Sequence, residues 1–178
     1  MNMPIKLTIS KGFSLIEVMI ATFVLAIGLL GIAGLQVTAI KSNHTAMSHT
    51  QSTQLAYDIA DRMRANMPGT TAGAYLATTK PGETYNCFDN FTGAASGKCS
   101  SLQMAHADLD WAFTLASTNF PQGSLAISCT SPAGTNVTAD TGAEDCTQGF
   151  NHTITITWNE QDGTNGLVSK SNDMEFQP

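Results

Sequence analysis

The stretch Lys11-Gly12-Phe13-Ser14-Leu15-Ile16-Glu17-Val18 decides the fold, because it places one carboxylate at the start of a long apolar segment. The 23 residues from Val18 to Ile40 carry no charge, and about 20 apolar residues suffice to cross the hydrocarbon core of a bilayer. Glu17 is therefore expected at the edge of lipid, where a carboxylate costs about 2.5 to 3.5 kcal/mol on insertion scales. A carboxylate at that depth predicts a pairing or functional role.

The same residues resemble the signature of type IV prepilins, the class III signal, in which a short charged leader ends in glycine before Phe and, four residues later, Glu. In that family a prepilin peptidase cleaves after the glycine and methylates the new amino terminus. The resemblance implies cleavage between Gly12 and Phe13, N-methylation of Phe13 and a mature chain of residues 13–178.

The spacing of Phe13 and Glu17 also has a physical reason. Residues four apart share one face of a helix, and the N-terminal end of a helix favours negative charge. The resemblance implies that Glu17 forms an assembly salt bridge, neutralising the amino terminus of an adjoining subunit when helices pack into a filament. Replacing Glu17 should then impair assembly and leave membrane insertion intact.

The leader indicates the orientation in the membrane. Lys6 and Lys11 have no acidic neighbours there, which keeps that end cytoplasmic under the positive-inside tendency. The expected location is the inner membrane, with a single pass and a periplasmic C-terminal head, and later the pilus at the cell surface. Two other interpretations stay open: a secretory signal cleaved near Gly31-Ile32-Ala33, and a plain single-span anchor, which does not explain the Gly-Phe-x-x-x-Glu spacing.

Four regions are predicted from the pattern: a cleaved leader (1–12), the hydrophobic transmembrane and assembly half of one long helix (13–40), its amphipathic half (41–67) and a periplasmic globular head (68–178). The helix is expected to run from Phe13 to about Asn66 and to stop at Pro68-Gly69. Its second half carries a narrow apolar stripe that would pack on the head. The stripe consists of Leu55, Ile59, Met63 and Met67.

The head combines loop, helix and strand patterns. Residues 70–100 are rich in Gly, Thr, Ser and Ala and predict a loop, whereas the capping-box pattern from Ser100 to Gln103 predicts a helix from about Ser101 to Ser117. One face of that helix is apolar, formed by Leu102, Ala105, Leu109, Ala112, Phe113 and Ala116. Asp108 and Asp110, which flank Leu109, are interpreted as solvent-facing acids.

Alternating residues predict the strands of the head. Leu125, Ile127 and Cys129 alternate with small polar residues, residues 150–158 alternate over nine positions, and residues 167–176 return as a weaker strand. His152 falls on the inner face of its strand and is interpreted as a satisfied core histidine. The fold class is therefore α+β, with at least three antiparallel strands, and the resemblance implies the type IV pilin fold, a long N-terminal helix packed on a small antiparallel-sheet head.

The four cysteines lie beyond the apolar segment, in a compartment that permits disulfides. Four cysteines allow three connectivities. The pairing Cys87 with Cys99 and Cys129 with Cys146 is favoured, because each pair is nearest in sequence and encloses a loop rich in Gly, Ser or Asp. Each link would stabilise the fold by roughly 3 kcal/mol in the chain-entropy model.

Other functions find little support in the sequence. The histidines are scattered and the cysteines widely spaced, so no metal site is predicted. The acidic loop 140–145 lacks the EF-hand ligand pattern. The sequence contains no nucleotide-binding or hydrolase motif, so neither an enzyme nor a cofactor is predicted. Residues 67–178 contain 3 basic and 11 acidic residues, a formal charge of −8. Since nucleic-acid contact depends on clustered Lys and Arg, no nucleic-acid partner is predicted.

Three further stretches resemble the minor pilins of the PilV type: Gly28 to Gln36, Leu55 to Asn66, and the Ile-Thr-Ile-Thr-Trp strand. The resemblance implies a minor pilin that helps prime assembly of the type IV pilus and enters it in small amounts, near the tip. Its partners would be the prepilin peptidase, other minor pilins, the major pilin and, before assembly, the inner membrane. A minor pseudopilin of a type II secretion system and a single-span membrane-anchored periplasmic protein are the alternatives.

Overall fold

The computed structural model describes residues 12–83, 85–87, 99–131, 136–137, 146, 150–161 and 166–178. The elements are α1 (Leu15–Ala65), α2 (Met67–Thr71), α3 (Ser101–Asn119), β1 (Ser124–Thr130), β2 (Asn136–Val137), β3 (Asn151–Gln161) and β4 (Leu167–Phe176). The contacts divide the chain into two units, Met1–His44 and Thr45–Pro178, and α1 contributes residues to both. The leader before Gly12 and the acidic loop 140–145 lie outside the described residues.

The first unit consists, in its described part, of Gly12 to Ser14 and the apolar residues of α1. The helix begins two residues after Phe13, where the backbone N–H groups of Glu17 and Val18 donate to the Ser14 carbonyl at 3.0 and 3.4 Å. The apolar window of α1 is long enough to cross a membrane, and none of it is buried within the protein. Because an apolar surface of this kind gains free energy by leaving water, it indicates a membrane or other helices as its surroundings.

The second unit contains an antiparallel sheet with strand order β2-β1-β3-β4. Residues of β1 and β3 that face inward alternate with half-buried Ser and Thr, as the period-two pattern predicted. Leu125, Ile127, Ile154, Ile156 and Trp158 are all buried there, and each such aliphatic side chain contributes about 1.5 to 3 kcal/mol. The fourth strand, β2, is a two-residue element that pairs with the end of β1 and adds to the three predicted.

The C-terminal part of α1 packs on this core over a wider stripe than the sequence indicated. Leu55, Ile59 and Met63 are buried as predicted, whereas Met67 is half-buried and lies in α2. The side chains of Ser48, Ser52, Ala56 and Ala60 are also buried. These small residues lie on the same side of the helix as the apolar ones and widen the buried stripe.

The long helix ends within one residue of the predicted position, about Asn66, but Pro68 and Gly69 do not form the predicted stop. The long helix ends at Ala65, and both residues lie within the short helix α2, where Pro68 occupies the first turn. Proline is tolerated there because the first N–H groups of a helix have no intrahelical partner. Gly69 is required for packing: a Cβ atom would come within 2.6 Å of Asn66 Nδ2 and 3.0 Å of the Ser101 carbonyl oxygen.

The third helix, α3, begins with the predicted capping box. Ser100 Oγ accepts from the Gln103 N–H at 3.3 Å, and Gln103 Oε1 accepts from the Ser100 N–H at 2.9 Å. Its predicted apolar face is buried except for Leu102, which is 54% exposed. The described residues between α2 and α3 are mainly loop, as predicted, and residues 84 and 88–98 of the predicted loop lie outside the described residues. Ala77 forms a β-bridge to Ile127 with N···O distances of 3.2 and 2.8 Å.

Candidate functional site

One face of the first helix carries the predicted assembly residues. Phe13, Glu17, Val18, Ala21, Thr22 and Leu25 line a shallow apolar groove along α1. Their spacing of about four residues places Glu17 among apolar neighbours, with Phe13 one turn toward the N-terminus. Phe13 is 84% exposed. Within the described residues, no ion pair involves Glu17, so its carboxylate is available to a cation from another chain.

The predicted cleavage position, Gly12, is sterically open in the folded chain. A Cβ atom added to Gly12 would meet no atom within 4 Å. The described residues therefore give no internal reason for glycine at this position. A requirement for glycine would have to come from a molecule that binds this segment, and a peptidase active site that closes around the backbone is one such molecule.

The apolar helix also carries three glycines with the same property. Gly28, Gly31 and Gly34 have nothing within 4 Å of an added Cβ, although glycine within a helix costs roughly 1 kcal/mol relative to alanine. Their spacing of three residues places them along one side of the helix. Glycines on one side allow a neighbouring helix to approach closely, so this surface suits packing between helices.

Two disulfides stabilise the head. Cys87 is bonded to Cys99 with the Cα atoms 5.8 Å apart, and Cys129 is bonded to Cys146 with a separation of 6.3 Å. Cys87, Cys129 and Cys146 are buried, and the second bond packs against Leu76 and Phe150. The first bond therefore joins Cys87 to the residue just before the N-cap of α3, and the second joins Cys146 to the end of β1.

A buried polar network, which the sequence pattern did not reveal, joins α1, the loop after α2 and α3. Arg62 Nη1 donates to Asp108 Oδ1 at 2.8 Å, and the Tyr75 hydroxyl donates to Asp108 Oδ2 at 2.6 Å. Asn66 Nδ2 donates to the Tyr75 hydroxyl at 3.2 Å and to the Ser101 carbonyl at 2.8 Å. The guanidinium of Arg62 also lies 4.0 Å from the Trp111 ring centroid.

The interpretation of Asp108 as a solvent-facing acid was wrong, since only 6% of its side chain is exposed. Its charge is tolerated because Arg62 and Tyr75 both donate to it. Burial, together with the hydrogen bond to Asp108, raises the pKa of Tyr75, so Tyr75 remains a neutral donor at physiological pH. Asp110, by contrast, is partly exposed and pairs with Lys80 at 2.9 Å.

Replacement of Asp108 by alanine is expected to lower the free energy of unfolding by about 2 kcal/mol, because buried hydrogen-bond donors lose a charged acceptor. Denaturant unfolding of the full-length chain in detergent measures the change. Asp110→Ala is the matched control, since its ion pair is partly exposed and is expected to contribute less than about 1 kcal/mol. Equal losses for the two variants would show that the buried network adds no special stability.

His152 lies on the inner face of β3, as predicted, but the description of it as satisfied needs correction. The side chain is 1% exposed and its ring centroid lies 5.6 Å from that of Phe176. Neither ring nitrogen has a hydrogen-bond partner in the described part of the chain. Burial lowers the pKa of His152, and the nearby Phe150 backbone opposes part of this shift.

The head is therefore expected to lose stability in acid. The unfolded chain binds a proton to His152 near its ordinary pKa of about 6.5, whereas the folded state resists protonation. Stability is complete above about pH 6.5 and falls as the pH drops toward the lower folded-state pKa. His152→Leu should flatten this dependence in melting curves recorded between about pH 7.5 and about pH 5. The same slope in His152→Leu and in the wild-type chain would contradict the expectation, and exposed His44→Leu is the control.

Within the part of the chain that the structure describes, no group of three or more His, Cys, Asp or Glu side chains is arranged to hold a metal ion. The described residues combine an apolar helix that carries one carboxylate with a disulfide-bonded α+β head. This is the fold of type IV pilins, with the N-terminal helix packing on a small antiparallel sheet.

Comparisons with known families agree with this class. Residues 8–33 match the family described as "Prokaryotic N-terminal methylation motif", and residues 34–110 match the family described as "Type IV pilin Tt1218". The first match includes Gly12, Phe13 and Glu17, and the second includes Arg62 and Asp108. Searches among curated proteins and among solved structures found no match. Together the two family matches support a type IV pilin.

Proposed function

We propose that this protein is a minor pilin of the PilV type, which helps prime assembly of the type IV pilus and enters it in small amounts near the tip. The observation that carries the proposal is Glu17, an exposed carboxylate on an otherwise apolar face with no ion pair inside the described chain. In lipid such a group needs a cation, and the methylated amino terminus of a neighbouring subunit supplies one.

The proposed partners follow from two features of the apolar segment. The prepilin peptidase cleaves between Gly12 and Phe13 on the cytoplasmic side and methylates Phe13, which fits the open surroundings of Gly12. Other minor pilins and the major pilin pack against the side of α1 that carries Gly28, Gly31 and Gly34. Before assembly the protein resides in the inner membrane with a single pass and its head in the periplasm.

Support for the PilV type comes from the Leu55 to Asn66 block. Within it, Leu55 and Ile59 pack in the core, whereas Arg62 and Asn66 make the polar contacts to α3. The block thus attaches the helix to the head through these four residues, whereas Tyr57, Asp58 and Asp61 of the same block are exposed. The acidic composition of the head favours a protein partner over nucleic acid.

Two measurements test the proposed function. Mass spectrometry of the protein from its native membrane is expected to show a chain that starts at N-methylated Phe13; an intact leader would exclude every processed pilin. Pili sheared from the cell surface are then expected to contain the protein in small amounts relative to the major pilin. Recovery only with a type II secretion complex would identify a minor pseudopilin, and abundance equal to the major pilin would exclude a minor role.

A further inference from the structure

Exposed large hydrophobic side chains in the head are concentrated at one end. In the described part of residues 45–178 these side chains are Met47, Tyr57, Leu102, Leu167 and Val168. Met47, Leu167 and Val168 lie at the end of the unit where α1 enters it. Leu102, in contrast, follows Ser101, which binds Asn66 just beyond the other end of α1.

Contacts between α1 and the sheet place the start of β4 at the same end of the unit as Met47. Thr45 Oγ1 donates to Glu160 Oε2 at 3.0 Å, and Glu160 is paired with Val168 across β3 and β4. Paired residues on adjacent strands lie about 5 Å apart, so Val168 is close to the first turn of α1 in the head. Leu167 precedes Val168 and points to the opposite face of the strand. We call Met47, Leu167 and Val168 the apolar rim.

Chain connectivity keeps the first residue of the head, Thr45, close to the end of the uncharged run. Thr45 is only five residues beyond Ile40, the last residue of the uncharged run. Five residues span at most about 18 Å even when fully extended. Covalent connectivity alone sets this limit, so Thr45 stays near the bilayer while the uncharged run is in lipid.

The charges at this end also suit a lipid surface. Glu160, the carboxylate beside the rim, accepts hydrogen bonds from Thr45 and from Trp158 Nε1 at 2.8 Å. Lys170 is exposed two residues after Val168, on the same face of β4, and Lys41 is exposed just beyond the uncharged run. Lysine side chains beside apolar residues are suited to the membrane interface, where the stem contacts lipid and the ammonium group stays in water.

We propose that the apolar rim rests on the periplasmic surface of the inner membrane before the protein enters a pilus. This inference rests on the proposed function, because it requires residues 13–40 to be inserted in the same membrane. Such a contact would hold the head against the bilayer and limit its orientations relative to the membrane surface. The occupant of the rim is the phospholipid surface, not a second copy of the chain.

Photo-crosslinking of the full-length protein in vesicles of phosphatidylethanolamine and phosphatidylglycerol tests this inference. A photoreactive phenylalanine analogue replaces Leu167, and the matched control carries it at Leu102, which is similarly exposed. A third variant carries it at Leu29 within the apolar segment. At least about tenfold more phospholipid adduct is expected at position 167 than at position 102, because only the former reaches the interface.

The three positions separate the outcomes. Abundant adduct at position 29 together with equally low adduct at positions 167 and 102 would overturn the membrane contact and leave the proposed function intact. Low adduct at position 29 would instead overturn membrane insertion and the proposed function. Crosslinks from position 167 to a second copy of the protein, without lipid adduct, would also overturn the inference. Unchanged melting curves confirm that the variants fold.

Discussion

Glu17→Val is expected to leave the chain in the membrane and to remove it from pili. Loss of the carboxylate makes the apolar segment more hydrophobic, so insertion is retained. Assembly loses the ion pair with a neighbouring amino terminus, and a loss of about 2 kcal/mol corresponds to a roughly 30-fold weaker association. Immunoblots of sheared pili and of the membrane fraction from the same cells measure both effects.

Two further variants test whether the loss from pili is caused by the missing charge. Glu17→Gln retains shape and polarity without a charge and should lose incorporation as Glu17→Val does. Thr22→Val alters another exposed residue that lines the same groove, and it should be incorporated normally. Wild-type amounts of Glu17→Val in pili would exclude the salt bridge as an assembly determinant.

Local patterns were sufficient to predict the elements whose residues alternate between core and solvent. The nine-residue alternation identified β3, because each inward residue of that strand is buried against the core. The Ser100 to Gln103 pattern identified the start of α3, because both hydrogen bonds of a capping box are formed within four residues. These predictions depend on neighbours in sequence, so they needed no knowledge of the tertiary fold.

Contacts between distant residues could not be predicted in the same way. Arg62 and Asp108 are 46 positions apart, and no local sequence pattern around either residue predicts the other as its partner. The pair of acids around Leu109 was interpreted as solvent-exposed. Asp108 instead faces inward from α3, where it pairs with the guanidinium of Arg62 from α1. The end of α1 shows the same limit, because the local pattern did not reveal that Pro68 and Gly69 lie in a second short helix, where a Cβ atom at position 69 would clash with Asn66 and approach the Ser101 carbonyl.

The prediction of the N-terminal site rests on the opposite kind of signal. Gly12, Phe13 and Glu17 have no tertiary contacts within the described chain that would change their interpretation. Their proposed partners, a peptidase and other subunits, act on a short linear segment. The signal for such a site is therefore its order and spacing along the chain, whereas the signal for the Arg62–Asp108 network exists only in the fold.

Gly12→Val is expected to abolish cleavage while the head folds normally. A side chain at position 12 meets no atom of the described chain within 4 Å, so the folded protein tolerates valine. The peptidase would meet a β-branched residue where it closes on the backbone. Without cleavage Phe13 has no free amino group, and the variant cannot supply the cation that the Glu17 of a neighbouring subunit requires. Mass spectrometry is expected to find the leader attached, and sheared pili are expected to lack the protein almost completely.

The head provides a matched control for this prediction. Gly82 is also sterically open, with nothing within 4 Å of an added Cβ, so Gly82→Val introduces the same side chain at a site with equal free space. Normal processing and incorporation of Gly82→Val would show that bulk alone is harmless. Since neither substitution meets a neighbour within the described chain, any difference between the two variants arises from a molecule that binds the N-terminal segment. Efficient cleavage of Gly12→Val would therefore contradict a glycine-specific peptidase and, with it, the proposed origin of the amino group that pairs with Glu17.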